Sequence, residues 1–501
     1  MSEPKAPRPR GGLAVFRHHA FLWIWSGALV SNVGNWMETV AQSWLVQKQT
    51  NSPFLVELLS ASEFVPAALL LLWAGHLADT RDRRRLLIAG QSAMMVIAGL
   101  LAVLAHLHLA SAWVVIAISF AEGAAWSLVQ PAWQSLTPSL VPREELPQAI
   151  ALNSAQFNTA RLAGPVLAGV LLSVSGAPLV FDLNTLSFVA IVAALYRVRL
   201  PPRNASAGAL AQSPTLASVG AGNESPHEVG RALVWVRRSP GPRRIVLGVA
   251  AFSFFSAPVQ GLLAVYADTV LDVGAHGYGF LLAALGGGAI CGALALARLT
   301  RQIPRHHLIP LSMLGFSLCA LVHGLSRSMA LSCFALAVGG VFWVWSLSSS
   351  NTAMQLLVPE ELRGRGMALF SLSTLGALPI GHLLAGAIAH RFGPHAAVVS
   401  MAAVLALISL WGVLAREPAI DALAPAPPGA QCAVRRARGT PARSGGGAMM
   451  CTSCDRRGQS YSSSSASAQL SGANAKGAGT SVRRVSSASC TMSSSAKRRF
   501  E

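Results

Sequence analysis

The segment GHLADTRDRRR, residues Gly75–Arg85, lies between two apolar runs of membrane-spanning length. The run before it, Phe54–Ala74, has ionisable residues only at Glu57 and Glu63, and the run after it, Leu86–His108, has no lysine, arginine or acidic residue. About 20 apolar residues in a helix cross a hydrocarbon core roughly 30 Å thick. The segment is therefore predicted to be a charged connection between two transmembrane helices at one membrane surface.

The composition is that of a membrane protein. Of the 501 residues, 52% are hydrophobic and 12% are charged, whereas soluble domains carry roughly 25% charged residues. Apolar runs recur along most of the chain, which predicts an all-α polytopic membrane protein with about twelve transmembrane helices. The predicted spans are residues 19–45, 54–77, 86–108, 111–134, 148–174, 178–197, 244–268, 277–298, 307–327, 329–350, 366–388 and 395–415.

Membrane topology explains the positive charge. The net charge of +19 could suggest a nucleic-acid partner, but most arginines lie in short loops and in the C-terminal region, so we expect no nucleic-acid binding. Loops on one side hold nearly all the loop arginines, and the other side has only Lys48, Arg327 and Arg391. Because basic loops stay in the cytoplasm, both termini and Gly75–Arg85 are predicted to be cytoplasmic.

The two halves of the chain repeat. LVPREELPQAIAL at 140–152 resembles LVPEELRGRGMAL at 357–369, and Gly164 and Gly381 share the same offset of 217 residues. We therefore predict two six-helix repeats, an arrangement that secondary transporters use with a substrate site between the halves. The predicted divisions are a cytoplasmic N-terminus (1–18), a first bundle (19–197), a cytoplasmic linker (198–243), a second bundle (244–415) and a low-complexity, disordered tail (416–501).

The segment Gly75–Arg85 resembles the signature between helices 2 and 3 of the major facilitator superfamily, Gly-x-Leu-Ala-Asp-Arg-x-Gly-Arg-Arg. Thr80 and Asp82 depart from that pattern. The resemblance implies a gate in which Asp79 lies on the N-terminus of helix 11 and the arginines pair with acids of the facing half. The alternative is plain anchoring by positive charge. The implied gating residues are Gly75, Asp79, Arg83 and Arg84.

A second stretch, LAGPVLAG at 162–169, partly resembles the antiporter signature of the same superfamily, Gly-x-x-x-Gly-Pro-x-x-Gly. Gly164, Pro165 and Gly169 carry this resemblance. It implies a role in gating and favours export, while ordinary close packing of helices through small residues is the alternative.

Polar residues inside predicted spans mark a candidate site, because such groups are costly in a membrane and usually face a cavity. Asn35, Glu38 and Gln42 form one stripe of the first helix, and Glu122 lies in the fourth. In the superfamily, helices 1, 4, 7 and 10 line the transport path. We therefore interpret these residues as substrate or proton sites, with structural, hydrogen-bonded carboxyl groups as the alternative.

Further residues are less specific. Arg161 could pair with Glu122 or Glu38, Trp126 could contact an apolar ligand, and His382 could take part in proton coupling. The remaining charged residues within spans are interpreted as structural: Glu63, Asp182 and Asp268.

The resemblance covers roughly residues 15–415, and it is greatest to the exporter branch that includes enterobactin exporters and transmembrane secretion effectors. It implies proton-driven export of a siderophore or drug-like molecule across a bacterial inner membrane by alternating access. We expect a monomer in the lipid bilayer, with no enzymatic activity, cofactor or metal, since no Walker sequence, nucleophile–base set or complete zinc motif is present. Uptake, or a sensor or scaffold without transport, are the alternatives.

Overall fold

The computed structural model describes residues 12–134, 136–198 and 233–414. In these residues twelve long helices follow one another and no β-strand occurs, which confirms the predicted fold class. The helices are α1 (His19–Thr50), α2 (Pro53–Thr80), α3 (Arg83–His106), α4 (Ala112–Gln134), α5 (Leu146–Ser175), α6 (Ala177–Arg197), α7 (Pro240–Gly261), α8 (Gly274–Gln302), α9 (Arg305–Leu325), α10 (Met329–Leu357), α11 (Arg363–Phe392) and α12 (Pro394–Leu414).

Eleven of these helices are long and apolar enough to cross a membrane, with α7 counted together with its continuation to Val270. The exception is α1, because its polar residues lower its average hydropathy. Two of them, Glu38 and Gln42, are each only 5% exposed. Since α1 packs against both α5 and α6, these side chains face protein rather than lipid.

The repeat is visible in the way the helices pack. In the first half α1 packs against α5 and α6, α3 against α4 and α6, and α2 against α4. The second half has the same five pairs six helices later: α7 with α11 and α12, α9 with α10 and α12, and α8 with α10. The duplicated sequence therefore folds into two bundles of equivalent topology.

Glycines at equivalent positions make the same turn in both halves. Gly176 between α5 and α6 has φ 76°, and Gly393 between α11 and α12 has φ 88°. A residue with a Cβ atom is strained at such angles. The 217-residue offset thus preserves a backbone requirement as well as a sequence pattern.

The bundles meet at two related helix crossings, α2 with α11 and α5 with α8. Glycines allow the close approach. A Cβ atom on Gly169 of α5 would lie 2.9 Å from the carbonyl oxygen of Ala275 in α8, and one on Gly386 of α11 would lie 2.8 Å from Cβ of Glu57 in α2. Side chains larger than hydrogen would force the bundles apart at these points.

The charged segment at 75–85 is mostly helical, which corrects its interpretation as a loop. Helix α2 continues to Thr80 and α3 begins at Arg83, so only Arg81 and Asp82 connect them. The Asp82 side chain accepts a hydrogen bond of 2.8 Å from the backbone N–H of Arg85. Asp82 is thus the N-cap of α3, a position that favours aspartate.

Helix α7 begins earlier than expected, at Pro240 instead of residue 244. Proline suits a first helical position, where its missing N–H would have no partner within the helix. The end of the predicted linker, residues 233–238, is also helical. The rest of the linker from 199 to 232, residues 1–11 and the predicted tail from 415 onwards lie outside the described residues.

Candidate functional site

Two carboxyl groups lie side by side inside the first bundle. Glu38 of α1 accepts a hydrogen bond from the amide nitrogen of Asn184 in α6, and its carboxyl group contacts that of Glu122 in α4. Gln42, one turn along α1 from Glu38, donates a 3.0 Å hydrogen bond to Glu122 Oε2. The structure therefore brings together three of the residues that the sequence predicts, on two adjacent helices.

Each of these carboxyl groups keeps one buried oxygen without a donor among the described residues, Oε1 of Glu38 and Oε1 of Glu122. Two charged carboxylates at this position would repel each other in an interior of low dielectric constant. A proton on either group would remove that repulsion and supply a hydrogen-bond donor. The pair is thus suited to binding a proton.

Glu63 of α2 extends this cluster towards the second bundle. Its backbone carbonyl oxygen would lie 2.1 Å from a Cβ atom on Gly123, so α2 and α4 approach very closely here. The Glu63 carboxyl group lies near enough to Glu122 and to His382 of α11 for their charges to influence one another. Glu63 was interpreted from the sequence as structural, but its position connects the two bundles.

A contact between the side chains of Glu57 and His382 joins the bundles. Glu57 Oε2 in α2 contacts His382 Nδ1 in α11, and the two side chains are 0% and 5% exposed. The Phe64 ring stacks on the His382 imidazole, with ring centres 6.3 Å apart. Glu57 also lies against Gly261 at the end of α7. Three helices therefore enclose a carboxylate and its partner at the crossing of α2 and α11.

Sequence reasoning missed Glu57, because it lies in the first turns of α2 and looked like a charge near the membrane surface. A signal was available in Gly386, whose missing side chain leaves room for Glu57. The sequence did not show that α11 crosses α2 at this level. His382, by contrast, was identified as a candidate for proton coupling.

More contacts between the bundles lie at the end of the molecule that contains the α1–α2 turn. Lys48 Nζ is 2.5 Å from Asp268 Oδ1, and Gln47 Nε2 donates a 3.0 Å hydrogen bond to Asp268 Oδ2. The Trp44 ring stacks on Tyr278 of α8 at 6.3 Å. These contacts hold the two halves together at this end, here called the Lys48 end.

Arg161 of α5 does not pair with Glu122 or Glu38, which corrects the sequence-based expectation. Its guanidinium lies over the Trp343 ring of α10 at 4.5 Å and near the Trp36 ring of α1 at 5.8 Å. Residues two apart on a helix point about 200° apart, so Trp36 faces α5 while Glu38 faces α4 and α6. Helix α1 therefore lies between Arg161 and the carboxylate pair.

The arginines of the signature bind within their own half. Arg83 donates to Ser139 Oγ at 3.2 Å. Arg84 donates to the carbonyl oxygens of Leu195 and Tyr196, at 3.2 and 2.7 Å. These carbonyls belong to the last turn of α6, where the helix supplies no partner of its own. The predicted pairing with acids of the facing half is not among the contacts that the structure describes.

Gly75 and Asp79 lie in the last turns of α2, but their surroundings are outside the described residues. The predicted position of Asp79 on the N-terminus of helix 11 therefore stays a prediction. That helix, α11, begins at Arg363.

The residues of the second motif are divided between two contacts. A Cβ atom on Gly164 would lie 2.5 Å from Trp36 Cβ, within the first bundle. Gly169 faces α8 of the second bundle, and the Pro165 carbonyl oxygen would lie 2.4 Å from a Cβ atom on Gly279 of that helix. The motif therefore provides close packing inside one bundle and also between the two.

Asn35 and Trp126 have fewer described side-chain contacts than the carboxylate pair. The Asn35 backbone carbonyl accepts a hydrogen bond from Thr39, and no hydrogen bond of its side chain is described. Trp126 is 40% exposed and lies one turn from Glu122 on the same face of α4. Asp182 binds His106 at 2.8 Å, in accord with a structural role.

A family model described as transmembrane secretion effector matches residues 10–439. The staphyloferrin A transporter of Staphylococcus aureus is 24% identical over 376 residues, which is 74% of this chain and 90% of that protein. Macrolide efflux protein A of Streptococcus pyogenes is 21% identical over 375 residues, with the same coverage. Among solved structures, a bacterial homolog of the human lysosomal transporter Spinster, inward-facing and unoccupied, has a TM-score of 0.62 at 13% identity and covers 83% of this chain and 98% of its own.

Two equivalent six-helix bundles that meet around a polar interior are the arrangement that secondary transporters share, and the family model identifies the chain as a multi-pass membrane transporter of the major facilitator superfamily. Within that superfamily, the chain belongs to the transmembrane secretion effector family.

Proposed function

We propose that this transporter is a proton-driven exporter of a siderophore or drug-like small molecule. It acts in a bacterial inner membrane with both termini in the cytoplasm. The observation that carries the proposal is the series of ionisable groups from Glu38 and Glu122, through Glu63, to His382 and Glu57. It begins inside the first bundle and ends at a contact that joins the two halves.

The carboxylate pair is the proton site in this proposal. A proton bound by Glu38 or Glu122 changes the field at Glu63, and through Glu63 at His382. A proton on Glu57 changes the contact of its carboxyl group with His382 Nδ1. Because the Glu57–His382 contact exists only while the Lys48 end is closed, its protonation favours the alternative state that is open at that end.

Support for export comes from the relatives, whose names describe a siderophore transporter and a macrolide efflux protein. In this proposal Trp126, one turn from Glu122 and partly exposed, contacts the bound molecule, as does Asn35 on the same stripe as Glu38. The two turns of α2 that hold Gly75 and Asp79, with Arg83 and Arg84 of α3, form the gate at the cytoplasmic end.

The test uses everted vesicles with an acidic interior and a fluorescent pH probe. Adding a macrolide or staphyloferrin A outside should release protons from vesicles that contain the wild-type chain. Glu38→Gln and Glu122→Gln should abolish this release, while Glu144→Gln, a change at an exposed carboxylate, should leave it intact. Proton entry on addition would instead show uptake, and full release by both site variants would refute the assignment of the proton site.

A further inference from the structure

Arg161 is a buried charge that no acidic side chain neutralises in the part of the chain that the structure describes. It lies in the middle of α5, four residues before Pro165, and only 8% of its surface is exposed. Among the described residues it has no hydrogen bond and no ion pair; its recorded partners are the rings of Trp36 and Trp343. Arginines within membrane spans usually pair with acids or carbonyls and otherwise mark a substrate path.

The charged groups of the neighbouring helices are engaged elsewhere. Glu38 binds Asn184 on the far side of α1, Glu122 binds Gln42, and Glu57 binds His382. On α8, the residue opposite Arg161 is Gly286, whose absent side chain leaves only the backbone near the Arg161 carbonyl. The contacts of Arg161 on α1, α8 and α10 therefore include no acidic group.

Two tryptophan rings position the Arg161 guanidinium, but its N–H groups remain accessible to a ligand. Trp36 comes from the first bundle and Trp343 from the second, so the two rings position the charge at the boundary between the halves. The buried polar atoms without partners include no nitrogen of Arg161, so its unbonded N–H groups still reach solvent-sized space. Guanidinium N–H groups bind a carboxylate through two parallel hydrogen bonds.

Building on the proposed function, we propose that the exported molecule is a carboxylate-bearing organic anion and that Arg161 binds its carboxylate between Trp36 and Trp343. Because the two tryptophans belong to different halves, an anion at Arg161 contacts both bundles at once. A molecule with an aromatic or apolar body next to its carboxylate fits the neighbouring indole rings.

Equilibrium binding of radiolabelled benzoate to the purified full-length chain in phosphatidylcholine nanodiscs tests this proposal, with the uncharged isostere benzamide as competitor. Benzoate should bind and benzamide should not displace it. Arg161→Gln should weaken binding about tenfold or more, the loss expected for a charge-assisted pair, and Arg161→Lys should weaken it less. The matched control Arg327→Gln, at an exposed loop arginine, should bind as the wild type does.

The proposal would be overturned by no binding of benzoate to the wild-type chain, by equal binding to Arg161→Gln, or by effective competition by benzamide. If a lipid headgroup occupies the site instead, benzoate binding should be lost in phosphatidylglycerol nanodiscs. The wild type should then also retain phosphatidylglycerol more tightly than Arg161→Gln does. That result would also overturn it. Equilibrium binding of benzoate does not depend on proton movement, so this test distinguishes failure of the Arg161 site from failure of the proposed proton coupling.

Discussion

At the scale of single residues, the sequence located the polar interior but not all of its partners. The stripe of Asn35, Glu38 and Gln42 follows from helical periodicity alone, and the structure brings two of its three members to Glu122. The contact of Glu57 with His382 could not be predicted, because it joins residues 325 positions apart in different halves. Local pattern carries no information on which helices cross.

The Glu57–His382 contact makes a prediction about conformation. Replacing His382 by Gln removes the imidazole that contacts the buried carboxyl group of Glu57, and a buried polar group that loses its partner costs about 1–3 kcal/mol. We expect the Lys48 end to open more often. Ala275 lies at the α5–α8 crossing and is 6% exposed. In a background without native cysteines, the variant Ala275→Cys should therefore react with a maleimide faster when His382 is replaced by Gln than when it is present.

The control for this variant is His390→Gln, which changes an exposed histidine of the same helix. It should leave the labelling rate at Ala275→Cys unchanged. Equal rates in the His382 and His390 variants would show that the Glu57–His382 contact does not hold this end closed.

At the scale of helices, glycines determine how close the elements come. The repeated Gly-x-x-x-x-Gly spacing of α5 and α11 was recognisable as a packing motif, and the structure shows one glycine of each pair inside a bundle and the other between bundles. The sequence could not show which glycine packs inside a bundle and which packs between the bundles, because the pattern of neighbouring residues is similar at both positions. The role of Asp82 as the N-cap of α3 was not predicted either.

Gly386→Val should favour separation of the bundles at the α2–α11 crossing. A Cβ atom there meets Glu57 Cβ at 2.8 Å and Phe54 Cα at 3.2 Å, and overpacking of this kind costs about 1–3 kcal/mol. Spin labels placed at the Lys48 end of each half should report a longer distance by electron paramagnetic resonance. Gly376→Val on the same helix meets nothing within 4 Å and should leave the distance unchanged; a shift of equal size in both variants would contradict the argument.

Asp82→Ala should destabilise the beginning of α3 by about 1 kcal/mol, because the backbone N–H of Arg85 loses its acceptor. Asp82→Asn keeps a side-chain oxygen and should cost much less. Hydrogen exchange at the first turn of α3 measures the difference. Equal protection in all three proteins would mean that Asp82 serves the signature in some way other than capping.

At the scale of the whole molecule, duplication made the architecture predictable. The offset of 217 residues indicated two equivalent bundles, and the helix pairs confirm them. The relative arrangement of the bundles could not be predicted, because it depends on contacts such as Lys48–Asp268 that have no counterpart in the repeat pattern. The same limit applied to Arg161, whose neighbours come from both halves.

Linking Lys48→Cys to Asp268→Cys with a short dithiol-reactive reagent should stop transport, since the two residues belong to different halves and must separate in each cycle. Reversing the link with a reductant should restore it. The control pair Thr137→Cys and Asn153→Cys joins residues that contact each other within the first half, and its link should be tolerated. Undiminished turnover with the Lys48–Asp268 link in place would argue against opening at that end.

The two crossings between the bundles have nearly the same shape but differ in chemistry. By the 217-residue offset, His382 of α11 takes the place of Pro165 in α5, and the described residues of the α5–α8 crossing contain no buried ionic pair. A change in proton occupancy therefore acts on one side of the pseudo-twofold axis only. We therefore expect separation of the halves at the Lys48 end to begin at the α2–α11 crossing and to reach the α5–α8 crossing afterwards.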